Sequence, residues 1–165
     1  MTLSQAGRRI SKLKGKLSEY EKRAEASNVW EEGHEPTYKF SDALEKAEEI
    51  RQELIQLGTL RTMTNAKTMI EFEGKPMTLT QAVLCLAELK GRIVWWKDLT
   101  VLAHDIVLNK ASEYREGKME TFVKKSYCAC PEAKRQGMVE KLQDEFDRLN
   151  DVVETTLHQT LLVKG

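Results

Sequence analysis

In this 165-residue chain the hydrogen-bonding side chains Arg61, Thr62, Thr64, Asn65, Lys67 and Thr68 cluster at the joint between a predicted helix and a predicted hairpin. A second set, Lys90, Arg92, Trp95 and Trp96, follows about thirty residues on. Arginine and lysine suit phosphate, asparagine reads a base edge, and a tryptophan face stacks on a ring. The sequence thus nominates Arg61, Thr64, Asn65, Lys67, Arg92, Trp95 and Trp96 as a nucleotide-sized ligand pocket. The competing reading is plain: threonine and asparagine cap and turn the chain, while the tryptophans fill a core. A third basic group, Arg8, Arg9, Lys12, Lys14 and Lys16, opens the chain. Cations so near a helix start oppose its macrodipole, so acidic residues of a neighbouring helix or an anionic ligand should compensate them.

Covalent and metal chemistry find less footing. Cys128 and Cys130 have a metal-like spacing, yet zinc wants four ligands in close pairs, and His34, His104 and His158 stand singly. No nucleophile elbow, phosphate-cradling loop, zincin helix or Glu-x-x-His pair is present. The expectation is a non-enzyme without a cofactor.

The elements that must position these residues read as helices. Leu3, Ala6, Ile10, Leu13, Leu17, Tyr20 and Ala24 alternate steps of three and four, and Thr2 with Gln5 forms a capping box. Residues 28–40 break that rhythm with Gly33 and Pro36. Their aromatics, Trp30, Tyr38 and Phe40, suggest a connection that packs back. A second helix starts near Ser41, taken as its cap, with Leu44, Ala47, Ile50, Leu54 and Leu57 as its stripe. From Ile70 the period becomes two, and Gly74-Lys75 turns a short hairpin. Thr78 and Gln81 repeat the capping box. A long central helix follows, with its seam at Leu79, Ala82, Leu86, Leu89, Ile93, Trp96, Thr100, Ala103 and Val107. Its flanks, among them Val83, Trp95 and Leu99, are apolar too, so it should be wrapped on nearly every side. Gly117 stops it, and Met119–Tyr127 reads as irregular or a short extended piece. Pro131 opens the last helix, with Val139, Leu142, Phe146, Leu149 and Val153 on its seam.

The expected fold is all-α: a long antiparallel four-helix bundle or coiled-coil-like array, with a short β-hairpin inserted between helices 2 and 3. It forms a single domain over 1–165, with helices about 3–27, 41–66, 79–115 and 131–162 and the hairpin about 68–78. Twenty-six basic residues balance 26 acidic ones. No global field therefore favours a nucleic acid polymer or an anionic membrane. An odd cysteine count, the absence of an apolar leader and of a membrane-length apolar run point to the cytoplasm. A central helix too apolar for one bundle to cover predicts a homo-oligomer, at least a dimer.

Three segments, TNAKT (64–68), GKPMTLTQA (74–82) and VEKLQDEFDRLNDVVE (139–154), resemble the septicolysin-like family of small helical bacterial and phage proteins. The resemblance covers most of the chain in the same order. It rests on Thr64-Asn65 before a short turn, the helix start Thr78-Leu79-Thr80-Gln81-Ala82, and Glu145-Phe146. The chain departs from the family pattern at Leu86-Ala87, where an Arg-Asp pair is expected. It departs again at Met63, in place of a basic residue, and at His158, in place of a tryptophan. The family brings no settled activity. Two functional expectations stand. The first is a non-catalytic oligomer that binds or sequesters a small anionic, nucleotide-like ligand at subunit or hairpin junctions, as a phage counter-defence sponge would. The second is an assembly protein acting only through helix–helix contacts.

Overall fold

In a computed structural model, which describes residues 1–163 and at Arg115 the backbone alone, four helices alternate with two β-hairpins. Helix α1 spans Leu3–Asn28 and α2 Phe40–Lys67; β1 (Met69–Phe72) and β2 (Lys75–Thr78) follow. Next come α3 (Leu79–Asp98), β3 (Ile106–Arg115), β4 (Lys118–Tyr127) and α4 (Glu132–Gln159). Two compact units result: Met1–Val83 with the segment from Asp151 onward, and Leu84–Asn150. No helix among the described residues is long and apolar enough to cross a membrane.

In the first unit, the Thr2 hydroxyl accepts from the Gln5 amide, and the Gln5 side chain accepts from the Thr2 amide. Two free donors at the start of α1 are thereby satisfied. Helices α1 and α2 then run side by side in opposite directions. Ala6, Leu13 and Leu57 form the buried cluster, with Ile10, Ile50, Leu54 and Leu162 packed against it. Ala24, Ala43 and Ala47 are buried as well, small side chains that let two backbones approach closely. The start of α2 differs from the sequence reading. Lys39 is its first flanking residue, without a side-chain cap, and Ser41 lies inside the first turn, donating to Asp42.

Strands β1 and β2 pair in register, Phe72 opposite Lys75. Glu73 and Gly74 both take positive φ, 52° and 74°. That is the backbone of a two-residue primed turn, whose twist matches the flanking strands. Ile70 is buried, and the Leu79 amide donates to the Thr68 carbonyl at 2.8 Å, so the hairpin feeds directly into α3. The chain end returns to this unit. Leu3 donates to the Thr160 carbonyl at 2.9 Å, and Leu162 to that of Met1 at 3.0 Å.

The all-α expectation is wrong in the second unit. The central helix ends at Asp98, and Ile106–Arg115 and Lys118–Tyr127 form a ten-residue-per-strand antiparallel hairpin, paired from Ile106–Tyr127 to Arg115–Lys118. The fold is mixed, four helices with two separate two-stranded sheets. Thr100, Ala103 and Val107 therefore lie off the helix whose seam they seemed to extend. Glu116 and Gly117, with φ of 47° and 82°, repeat the turn geometry of the first hairpin. The β-branched start Ile106-Val107 favours extended backbone over another helical turn. Leu79, Ala82, Leu89 and Ile93 are buried, whereas Val83, Leu84, Val94 and Trp95 are exposed in the single chain.

One guanidinium fastens the second unit. Arg135 Nη1 donates to the Lys97 carbonyl at 2.5 Å, satisfying a free acceptor at the end of α3, and its Nε and Nη2 donate to Glu132 at 3.0 and 2.6 Å. The Arg135 hydrogen bond, with help from Gln136, holds the Glu132 carboxyl below its ordinary 4.5. A depressed carboxyl stabilises the fold above its ordinary value, and that support fades as pH falls through its lower folded value. Arg135→Met is expected to lower the melting temperature at pH 7 and to shrink the wild type's further loss below pH 4.5. Thermal unfolding of both proteins between neutral pH and the acid range checks this.

Candidate ligand-binding site

The cations at the start of α1 meet a specific surface. A cavity of about 310 Å³ lies between α1 and α2, lined by Arg9, Lys12, Leu13, Lys16 and Tyr20 on one side and Lys46, Ile50 and Glu53 on the other. Leu13 and Ile50 provide an apolar floor. The size falls at the lower end of small-molecule pockets. A second cavity of about 400 Å³ shares Arg9 and Lys12 and adds Gln5 and Arg8. A third of about 310 Å³ shares Tyr20 and Lys46 and adds Arg23, Tyr38, Lys39 and Asp42 among others. The first and third, which share Tyr20 and Lys46, make one trough along the α1–α2 pair, and the second lies beside it on the flank of α1 alone.

The sequence periodicity explains the lining. Arg9, Lys12, Lys16 and Tyr20 are spaced by three and four, and so share one helix face beside the buried stripe. The three cavities are lined by seven cations (Arg8, Arg9, Lys12, Lys16, Arg23, Lys39 and Lys46) and by two carboxylates, Glu53 and Asp42. The whole chain, by contrast, is neutral.

Three of the cations are compensated locally, Arg23 by Glu19 one turn before it on α1. Arg9 pairs with Glu53 of α2. Lys46 Nζ donates to Glu49 at 2.7 and 2.9 Å, which raises its pKa through that hydrogen bond and the carboxylate's charge. Among the described residues neither Lys12 nor Lys16 has an acidic partner. The first turn of α1 carries no acidic residue either. Arg23 sits over the rings of Tyr20 and Tyr38, 5.1 and 4.5 Å from their centroids, so the 28–40 connection does pack back on α1 through Tyr38. Trp30 of that connection is exposed.

The residues nominated from sequence divide between the two units. Arg61, Thr64, Asn65 and Lys67 occupy the last turns of α2, and Arg92, Trp95 and Trp96 lie on the part of α3 in the second unit. Thr64 is buried and structural: its hydroxyl donates to the Leu60 carbonyl at 2.7 Å and accepts from the Val163 amide at 3.0 Å. Lys67 and Arg92 are exposed. Trp95 and Trp96 meet edge to face, centroids 5.0 Å apart and planes at 83°, with Trp95 exposed and Trp96 half-buried. Such geometry is that of a ring pair packing on itself.

Arg61 Nε and Asn65 Oδ1 are buried without a hydrogen-bond partner among the described residues. An unpaired buried polar atom costs about 1–3 kcal/mol. Asn65→Leu is therefore expected to raise stability by about 1 kcal/mol, read by chemical denaturation. A fall instead would mean that Oδ1 is hydrogen-bonded in solution.

The Cys128 thiol donates to the Cys130 carbonyl at 3.1 Å and accepts from the Leu102 amide at 3.3 Å, holding the 102 and 128 segments together. Among the described residues no group of three or more His, Cys, Asp or Glu side chains is gathered as a metal site. The basic start of α1 is visible in the sequence, but the residues nominated there as a ligand pocket lie elsewhere on the chain. The signal of the α1 cations was the basic helix start without an acidic first turn. What the sequence hides is which residues of α2 lie opposite.

Comparison of the chain with protein-family models, with curated proteins and with solved structures finds no match.

Proposed function

We propose that this protein is a non-catalytic, cytoplasmic binder of small phosphate-bearing, nucleotide-like molecules, and that the α1–α2 trough receives them. The observation that supports this most is the charge of the trough: Lys12 and Lys16 stand without acidic partners beside Arg8 and Arg9, over an apolar floor. Several ammonium and guanidinium groups on one face attract multiply charged anions, because each phosphate oxygen accepts a charge-assisted hydrogen bond. Leu13, Ile50 and the rim of Tyr20 offer a ring or sugar an apolar surface. Binding would also supply the negative charge that the start of α1 lacks. The ligand class is the one expected from sequence, while the site moves from the end of α2 and the Arg92, Trp95 and Trp96 stretch of α3 to the α1–α2 trough.

A thermal-shift panel tests it. Nucleoside triphosphates, cyclic dinucleotides, inorganic triphosphate and a short oligonucleotide are compared with adenosine. A ligand at 100 times its dissociation constant adds about 2.7 kcal/mol of stability, or roughly 5–10 °C for a chain of this size. The phosphate-bearing nucleotides should raise the melting point, and adenosine should not. If no phosphate compound moves it, the proposal fails. A rise with the oligonucleotide alone would make the trough a nucleic acid surface.

A further inference from the structure

The β3–β4 hairpin has one face that nothing in its own unit explains. Directly opposed residues of an antiparallel pair share a face, and alternate pairs share it along the strands. The register Ile106–Tyr127, Leu108–Lys125, Lys110–Val123, Ser112–Thr121 and Tyr114–Met119 therefore defines one side of the ribbon. That side carries Ile106, Leu108, Tyr114, Met119, Val123 and Tyr127. Their exposure runs from 48% at Ile106 to 71% at Tyr127. Its polar members are Lys110, Ser112, Thr121 and Lys125. Ser112 and Thr121 share a hydrogen bond at 3.1 Å, and Lys125 lies over the Tyr127 ring, 5.4 Å from its centroid. No acidic residue lies on this face. The reverse side mixes Asn109, Glu113, Glu120 and Lys124 with Val107, Ala111, Phe122 and Ser126, and of these Val107, Ala111 and Ser126 are half-buried, so it is the less exposed of the two.

We propose that this face is the contact between two copies of the chain, packed ribbon on ribbon. The size of the face suits a second copy: six large apolar residues, each 48–71% exposed, lie on one side of a ten-residue ribbon, a surface comparable with the roughly 800 Å² that each partner contributes to a standard interface. Typical monomers leave no patch larger than about 300–600 Å². A two-stranded ribbon alone is marginal in water, and ten-residue strands with both outer edges unpaired invite further contact. Stacking the face on its own copy buries identical apolar surfaces about 10 Å apart, as in any two-layer sheet. Because the patch meets itself, the contact closes at two subunits and does not propagate. This inference is independent of ligand binding at the trough.

Sedimentation velocity between about 1 and 100 µM reads the assembly, and amide hydrogen exchange over residues 106–127 reads the face. The wild type should sediment as a dimer, with exchange in β3 and β4 slowing as concentration rises. Tyr114→Arg with Val123→Lys should raise the dissociation constant at least 100-fold and abolish the concentration dependence of exchange. Both side chains are well over half exposed, so the helical circular dichroism should not change. A wild-type monomer across that range overturns the proposal. So does a dimer whose β3–β4 exchange ignores concentration, because its interface lies elsewhere. A monomer in which this ribbon is nevertheless protected would place another part of the chain on the face, and also overturns it.

Discussion

Reversing two charges, Lys12→Glu with Lys16→Glu, is expected to weaken nucleoside triphosphate binding at least about 100-fold, the equivalent of 2.8 kcal/mol. A charge-assisted hydrogen bond is worth about 1.5–3 kcal/mol when shielded from water, but both lysines are exposed, so each is discounted to about 1 kcal/mol. The added repulsion of two carboxylates supplies the rest. Lys12→Gln with Lys16→Gln removes attraction without repulsion and should cost about 30-fold. Raising ionic strength from 0.05 to 0.5 M should weaken the wild type and narrow the gap between variants, because exposed charges are screened over less than about 10 Å. Neither pair of substitutions touches a buried side chain or a carboxylate partner, so the unliganded melting point should change little. Titration calorimetry at two salt concentrations reads all of this.

The opposite pattern is expected from Leu57→Ala. Leu57 is buried with Ala6 and Leu13, and Ile10, Ile50, Leu54 and Leu162 pack against the cluster. Deleting a buried leucine to alanine costs about 2–5 kcal/mol, more where the surroundings cannot collapse. At roughly 2–4 °C per kcal/mol for this chain length, the melting temperature should fall by about 5–15 °C. Leu57 does not line the trough. Nucleotide affinity measured well below the new melting point should therefore stay within a factor of about three of wild type. The two experiments together separate loss of ligand contacts from loss of the scaffold. Charge reversal removes binding and spares stability, and core truncation does the reverse.

How far the sequence carries differs from place to place. The capping boxes at Thr2–Gln5 and Thr78–Gln81 both form, because each needs only three residues of local backbone. The Gly74 turn and the alternation of Ile70 with Phe72 were legible for the same reason. The stretch from Asp98 to Tyr127 was not. A step-of-three-and-four pattern can be continued through Thr100, Ala103 and Val107 by residues that do not share a helix, and a small count of matches does not separate the two periods. Glu116-Gly117 marks a hairpin turn as well as a helix stop. Its flanking strands could be recognised only by matching residues across the turn at steadily growing separations, from Tyr114 with Met119 out to Ile106 with Tyr127.

The ligand residues fare similarly. Thr64 turned out to be a buried tie between Leu60 and Val163, a contact 99 positions apart in sequence. The unpaired atoms of Arg61 and Asn65 are a property of packing, not of residue type. The basic stripe of α1 was visible on its own helix, yet its character as a trough depends on α2. Lys46, Ile50 and Glu53 lie opposite because Ala6, Leu13 and Leu57 set the register of the two helices.

The trough's role is tested most directly by two-dimensional NMR of the amide-labelled protein titrated with a nucleoside triphosphate. Saturable shifts should gather at Arg9, Lys12, Lys16 and Tyr20 on α1 and at Lys46 and Ile50 on α2, with little change along α4. Saturable shifts confined to other helices, or none at millimolar nucleotide, would contradict it.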